Sequence, residues 1–212
     1  SHIGVIRALN ESGIPIDMIV ATSMGSVVGG LYAAGFSTET LNTLVVEVSA
    51  VSVAELQFPP RGGLLDARPF EYIMRSLTQN MHLQDTVIPF FPVVTDLASN
   101  EPVALTLGDL ASAVHASMAI PILFIPVQRD GHYYYDGGLK AAVPVQIARA
   151  KGADVVIAVD VTRHIEADPD NILSNFQAIY LDLIAGFNDA QLEQASILLD
   201  PGLQYESYMS FD

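Results

Sequence analysis

The chain has 212 residues and a mass of 22.7 kDa, with 50% apolar and only 16% charged side chains. This suits a single globular domain with a sizeable core and excludes a multidomain array or a disordered polyelectrolyte. Nine Lys and Arg against 24 Asp and Glu leave a net charge of −15, a field that repels a polyphosphate backbone and excludes nucleic acid as a partner. The absence of cysteine excludes disulfides, iron–sulfur clusters and thiolate zinc sites, and leaves the compartment open.

In chain order, Ile3, Ile6, Leu9 and Ile14 repeat at helical spacing, and Ser12-Gly13 with Pro15 closes that helix. Ile16 to Ala21 reads as a short buried strand. Met24 to Ala34 then reads as a helix stopped by Gly35, and a further helix starts at Ser37-Thr38-Glu39. Ala50 to Leu65, with Pro59-Pro60 and Gly62-Gly63, is expected to be a loop, after which Asp66 caps a helix running to about Thr78. Phe90 to Asp96 and Glu101 to Leu107 form a hairpin-like strand pair, and Gly108 to Ala119 a helix ended by Ile120-Pro121. Val127 to Asp130 and His132 to Tyr135 pair around Gly131. They are followed by a helix over Val143 to Ala150, a buried strand over Ala153 to Val161, a helix over Asn171 to Glu193, and a short strand at Ile197 to Leu199. Alternating strands and helices imply an α/β domain with a mostly parallel central sheet and helices on both faces. The longest low-charge stretch near a terminus, Met18 to Phe36, is broken by glycines and predicts no transmembrane helix. No signal-peptide pattern opens the chain, so a cytoplasmic location or one peripheral to a membrane is expected.

Ala21-Thr22-Ser23-Met24-Gly25 lies between a predicted strand and a predicted helix. In that context a G-x-S-x-G-like pattern becomes a sharp elbow that thrusts a serine hydroxyl out at the sheet edge. Small residues two before and two after the serine, Ala21 and Gly25, let strand and helix approach each other. The competing reading is a serine that merely caps the helix. A serine needs a base, and Asp136 ends a predicted strand at Gly137-Gly138, where a tight turn and close backbone approach are available; since parallel strands end on the same edge, Asp136 is expected to arrive beside Ser23. An ordinary Asp-Gly turn is the alternative there.

These motifs, together with His2-Ile3-Gly4-Val5, Ala116-Ser117-Met118-Ala119-Ile120-Pro121 and Gly152-Ala153-Asp154-Val155-Val156, resemble the patatin-like phospholipase family of bacterial type, over nearly the whole chain. The resemblance implies a three-layer α/β/α fold, hydrolysis of acyl esters of lipids, and a Ser-Asp dyad with Ser23 as nucleophile and Asp136 as base. It also implies no metal and no cofactor. Two differences stand out: Ala21 where the family usually has glycine, and His115 where it commonly has arginine, a position expected near the site and able to tune headgroup contact. The family's glycine-rich oxyanion loop precedes the block that resembles Ser1 to Val5, so a natural chain longer at this end, and also at the other, is expected. The Met24 N–H is the oxyanion donor nominated from the residues present, with Gly25, Gly137 and Gly138 as motif glycines.

Met118 to Val127 and Leu56 to Pro60 are candidates to line or cover an apolar acyl trough. Tyr133, Tyr134 and Tyr135 are candidates to desolvate Asp136. A lipid or acyl ester is the expected partner, with membrane contact through apolar groups, because the acidic surface disfavours anionic bilayers. Two rivals remain: a Ser-His-Asp carboxylesterase using His164, which follows Ser23 and Asp136 in the right order, and a non-catalytic binding module. His2 reads as a packing residue and His82 and His132 as surface positions; no histidine pair has a metal-binding spacing.

Overall fold

The computed structural model describes residues 1–49, 54–60, 62–162, 168 and 170–201. The elements are α1 (His2–Glu11), β1 (Ile19–Thr22), α2 (Met24–Ala33), α3 (Thr38–Ser49), β2 (Glu55–Leu56), β3 (Gly63–Asp66), α4 (Arg68–Leu77) and a 3-10 turn (Leu83–Asp85). They continue with β4 (Phe90–Asp96), β5 (Pro102–Ala104), α5 (Leu110–Ser117), β6 (Ile122–Phe124), β7 (Val127–Arg129), β8 (His132–Asp136), α6 (Gly138–Ala141), α7 (Val145–Ala150), β9 (Ile157–Val159), α8 (Ile172–Leu192) and β10 (Ile197–Leu199).

Strand β4 is the spine. Six of its seven residues are buried, with Val93 and Val94 fully enclosed, as a strand covered on both faces requires. Helices α2 and α5 pack against it and against each other, and α6 packs against it and α8. The largest apolar cluster gathers Val28 and Leu31 of α2, Leu41 of α3, Phe70 and Met74 of α4, Phe90 of β4, and Val114 of α5. A smaller cluster of Tyr180, Leu181 and Ile184 on α8 takes in Ile120, Leu139 and Ala142.

The α/β character is as expected, but the five-stranded sheet is mixed rather than mostly parallel. Its path is β1-β4-β8-β7 with β5 also on β4. Only β1–β4 is parallel, whereas β4–β5, β4–β8 and β7–β8 are antiparallel. The turns at 97–101 and 130–131 are too short for a crossover, so the strands they join must fold back on each other. Parallel pairing recurs outside this sheet, in β9–β10 and β3–β6. The stretch expected to be a loop between 50 and 65 contributes β2 and the start of β3; its positions 50–53 and 61 lie outside the described residues. Asp66 acts as expected, accepting the Arg68 N–H at 2.9 Å, although the cap position itself is Ala67.

At the end of β8, Gly137 lies directly on β4. A Cβ there would stand 2.4 Å from the Val93 carbonyl oxygen and 2.7 Å from its carbon, far inside contact with backbone that cannot move aside. Gly137→Ala is therefore expected to cost about 3 kcal/mol or more, at the upper end for overpacking, read as a large drop in the urea midpoint.

Candidate active site

Ser23 occupies the single step between β1 and α2. Its backbone sits at φ 53°, ψ −129°, a region that costs a non-glycine residue about 1–3 kcal/mol and persists only when its surroundings hold it. Both sides of the residue are held. Its N–H donates to Ser117 Oγ at 3.0 Å, and its carbonyl accepts from Ser26 N–H at 2.8 Å and Ser26 Oγ at 2.6 Å. The Ser23 side chain makes no capping hydrogen bond to α2, so the hydroxyl is not spent as a helix cap. At the elbow, a Cβ on Gly25 would meet Ala21 Cβ at 3.8 Å and His2 Nε2 at 3.4 Å. Those are ordinary contacts, which explains why alanine serves at position 21.

Asp136 reaches the same place from the other flank of β4. Thr22 pairs with Val93 and Asp136 with Val94, so Ser23, one residue beyond Thr22, stands level with Asp136. The two meet because β8 runs antiparallel to β4, not because parallel strands end on a common edge. The Asp136 backbone is fixed at both ends: its N–H donates to Ala119 O at 2.9 Å, and its carbonyl accepts from Thr95 Oγ1 at 3.0 Å. The side chain is 1% exposed. One oxygen, Oδ1, accepts the Gly138 N–H at 2.7 Å, while Oδ2 is shut off from solvent without a formed hydrogen bond. Burial pushes the Asp136 carboxyl up to about 6; the Ser23 hydroxyl, the Gly138 N–H and the Tyr180 hydroxyl pull the other way and only partly offset it. The Ser23 hydroxyl is thus close enough to act on the carboxylate without a formed hydrogen bond to Oδ2. Gly138 also makes room: a Cβ there would stand 3.0 Å from Asp136 Oδ1 and 3.2 Å from the Tyr180 hydroxyl.

Ser23 and Asp136 line one cavity, together with Met24, Gly25, Gly138 and His2. The Met24 N–H belongs to the first turn of α2, where amides have no intrahelical acceptor. The apolar wall is Ile120, Val143, Val159, Val161, Leu181 and Ile184. Of the expected trough segments, then, only Ile120 contributes; Leu56 and Phe58 are 86% and 96% exposed, away from it. Tyr133, Tyr134 and Tyr135 do not line the cavity. Tyr180, on α8, is the tyrosine at the carboxylate. Sequence reasoning missed it because it lies in a long apolar helix pattern with no motif around it.

Among the histidines, His2 reaches the cavity, and burial holds it down to about 4. His115 is not at the site. It is 6% exposed on α5, with Nδ1 2.7 Å from Glu71 Oε2, and does not line the cavity. His132 bonds Asp96 at 2.7 Å, and His164 lies outside the described residues.

A family model described as patatin-like phospholipase matches residues 1–149. The chain belongs to the patatin-like phospholipase family. It is 35% identical over 176 residues to patatin-like phospholipase domain-containing protein 6 of Mus musculus, covering 79% of this chain and 13% of that protein. It is 34% identical over 161 residues to an uncharacterized NTE family protein of Mycobacterium bovis, covering 75% of this chain and 44% of that protein. This patatin-like chain thus spans less than half the length of these relatives.

Because the folded pKa of Asp136, about 6, stands above the ordinary value of 3.8 for an aspartate, protons favour the folded state. The stability associated with this group is full below about pH 4 and is lost as pH rises through about 6, a penalty on the order of 3 kcal/mol at neutrality. Asp136→Asn cannot ionise and is expected to unfold at higher urea than the wild type at pH 7. The gap should close at pH 4.

Proposed function

We propose that this chain is a serine acyl hydrolase that cleaves acyl esters of phospholipids or related lipids through a Ser-Asp dyad and an acyl-enzyme. Ser23 Oγ attacks the ester carbonyl as its proton passes to Asp136. The developing oxyanion faces the Met24 N–H, and Asp136 returns the proton to the leaving alcohol. Water then attacks the acyl-serine, again giving its proton to Asp136, and releases the fatty acid while Ser23 recovers its hydroxyl. The apolar wall from Ile120 to Ile184 takes the acyl chain. Lipid contact is peripheral in this reading; among the described residues no helix is long and apolar enough to cross a membrane.

The single observation that carries the proposal is a strained, uncapped serine sharing a cavity with a buried carboxyl raised to about 6. At neutral pH that carboxyl is ionised yet far more basic than an ordinary aspartate, as a general base must be. The imidazole in the same cavity, His2, is held to about 4 and is the weaker base of the two. This favours Asp136 over a histidine as proton acceptor.

The test is labelling of the intact gene product with a fluorophosphonate, followed by hydrolysis of phosphatidylcholine and of a soluble short-chain ester. Labelling at Ser23 that is lost in Ser23→Ala, with hydrolysis lost in both Ser23→Ala and Asp136→Asn, is the expected result. Persistent hydrolysis in either variant, or no labelling of the wild type, overturns the proposal and favours a binding module.

Two further outcomes follow from the carboxyl's surroundings. The kcat/KM profile should rise with pH through an acid limb at about 6, because only the ionised carboxylate accepts a proton. Tyr180→Phe removes a hydroxyl that stabilises that carboxylate and should move the limb to higher pH, as profiles of the two proteins measured side by side would show.

A further inference from the structure

Ser23 and Asp136 come from elements far apart in the chain, yet both backbones are tied to one short segment at the end of α5. Ser117 is fully buried and does not line the cavity. Its hydroxyl has a single proton, which goes to the Val93 carbonyl at 2.7 Å. Its lone pairs are therefore left to accept, and the Ser23 N–H donates to them at 3.0 Å. Two residues on, the Ala119 carbonyl accepts the Asp136 N–H at 2.9 Å. The segment between is itself anchored, with Met118 N–H donating to Val114 O and His115 O, both at 3.1 Å. Val93, the residue that Ser117 grips, is the β4 partner of Thr22, and its neighbour Val94 is the partner of Asp136.

We propose that Ser117 is a positioning residue for the dyad: its hydroxyl pins the strained Ser23 backbone to β4, and the segment from Ser117 to Ala119 sets the spacing between nucleophile and base. The inference rests on the Ser23–Asp136 reading above. Without an acceptor for its N–H, the Ser23 peptide is held at φ 53° on its carbonyl side alone, by Ser26, and such a conformation is kept only where neighbours enforce it. Relaxation would swing the hydroxyl away from Asp136, and a misplacement of about 1 Å in a reacting group can slow a reaction about a hundredfold. Ser117 touches no substrate in this account, so its loss should appear in kcat and not in KM.

The experiment compares second-order fluorophosphonate labelling, kcat and KM for a soluble short-chain ester, and urea midpoints, in the intact gene product. Ser117→Ala should label at least about tenfold more slowly and lose kcat in parallel, with KM within about twofold of wild type. Ser117→Cys keeps the side chain's volume but offers a weak acceptor and should show a smaller slowing of the same kind. Thr78→Val is the matched control: Thr78 is also buried and its Oγ1 donates to Met74 O at 2.8 Å, but it lies away from the cavity, so it should lower the urea midpoint and leave labelling unchanged. A folded Ser117→Ala or Ser117→Cys that labels at the wild-type rate overturns the inference, as does one slowed no more than Thr78→Val. Ser23→Ala separates the two levels. If it abolishes labelling while Ser117→Ala is normal, only the role of Ser117 fails. If labelling survives in Ser23→Ala, the dyad reading fails as well.

Discussion

A carboxylate kept out of water is the constraint from which the rest of the site follows. Burial alone would leave Asp136 neutral, and a full set of hydrogen bonds would leave it an ordinary, feeble base. The structure does neither: one oxygen is satisfied by the Gly138 N–H and the other is left dry. That half-satisfied state requires a glycine at 138, since a Cβ would crowd both Asp136 and Tyr180, and a glycine at 137, since the turn must lie flat on Val93. The two glycines are thus the steric condition for the turn that carries the carboxyl, each for a different contact.

The same desolvation orders the carboxyl and the imidazole that face the cavity. In water an imidazole is the stronger base and a carboxylate the weaker. Here burial acts on them in opposite directions, since it disfavours charge on both: a carboxyl becomes harder to ionise and an imidazole harder to protonate. Asp136 rises to about 6 and His2 falls to about 4. A dry pocket can therefore dispense with a histidine, which gives a physical rationale for the proposed dyad of two side chains instead of three. The instability that a raised carboxyl carries is the counterpart of its basicity, an instance of function set against stability.

Much of this was legible in the residues, and the failures have specific causes. The strand–serine–helix elbow and the Asp-Gly-Gly turn were readable because each is local: backbone demands at consecutive positions select small residues that stand out in a sequence. Sheet direction was not. The two hairpins at short turns were readable, but whether β8 runs with or against β4 depends on a partner about forty residues away, and alternating strands and helices suggested a parallel neighbour where the pairing is antiparallel. The route by which Asp136 reaches Ser23 was accordingly misread, although the meeting was anticipated. The cavity wall escaped for a related reason. Val143, Val159, Leu181 and Ile184 are ordinary core residues in any single segment, and only tertiary packing collects them. Ser117 sat within a block singled out by resemblance, but nothing in its neighbours shows that its hydroxyl would accept from residue 23.

Helix α8 gives the cavity a divided origin. The serine and the aspartate belong to the part of the chain that the family pattern spans, residues 1–149, while Tyr180, Leu181 and Ile184 arrive from beyond it. Under the proposed dyad, the later helix therefore carries two things at once, part of the apolar wall and a hydroxyl that bears on the Asp136 carboxylate. A lineage that exchanged this helix would reshape the compartment and retune the proposed base together, so changes in chain fit and in pH dependence are expected to travel as a pair.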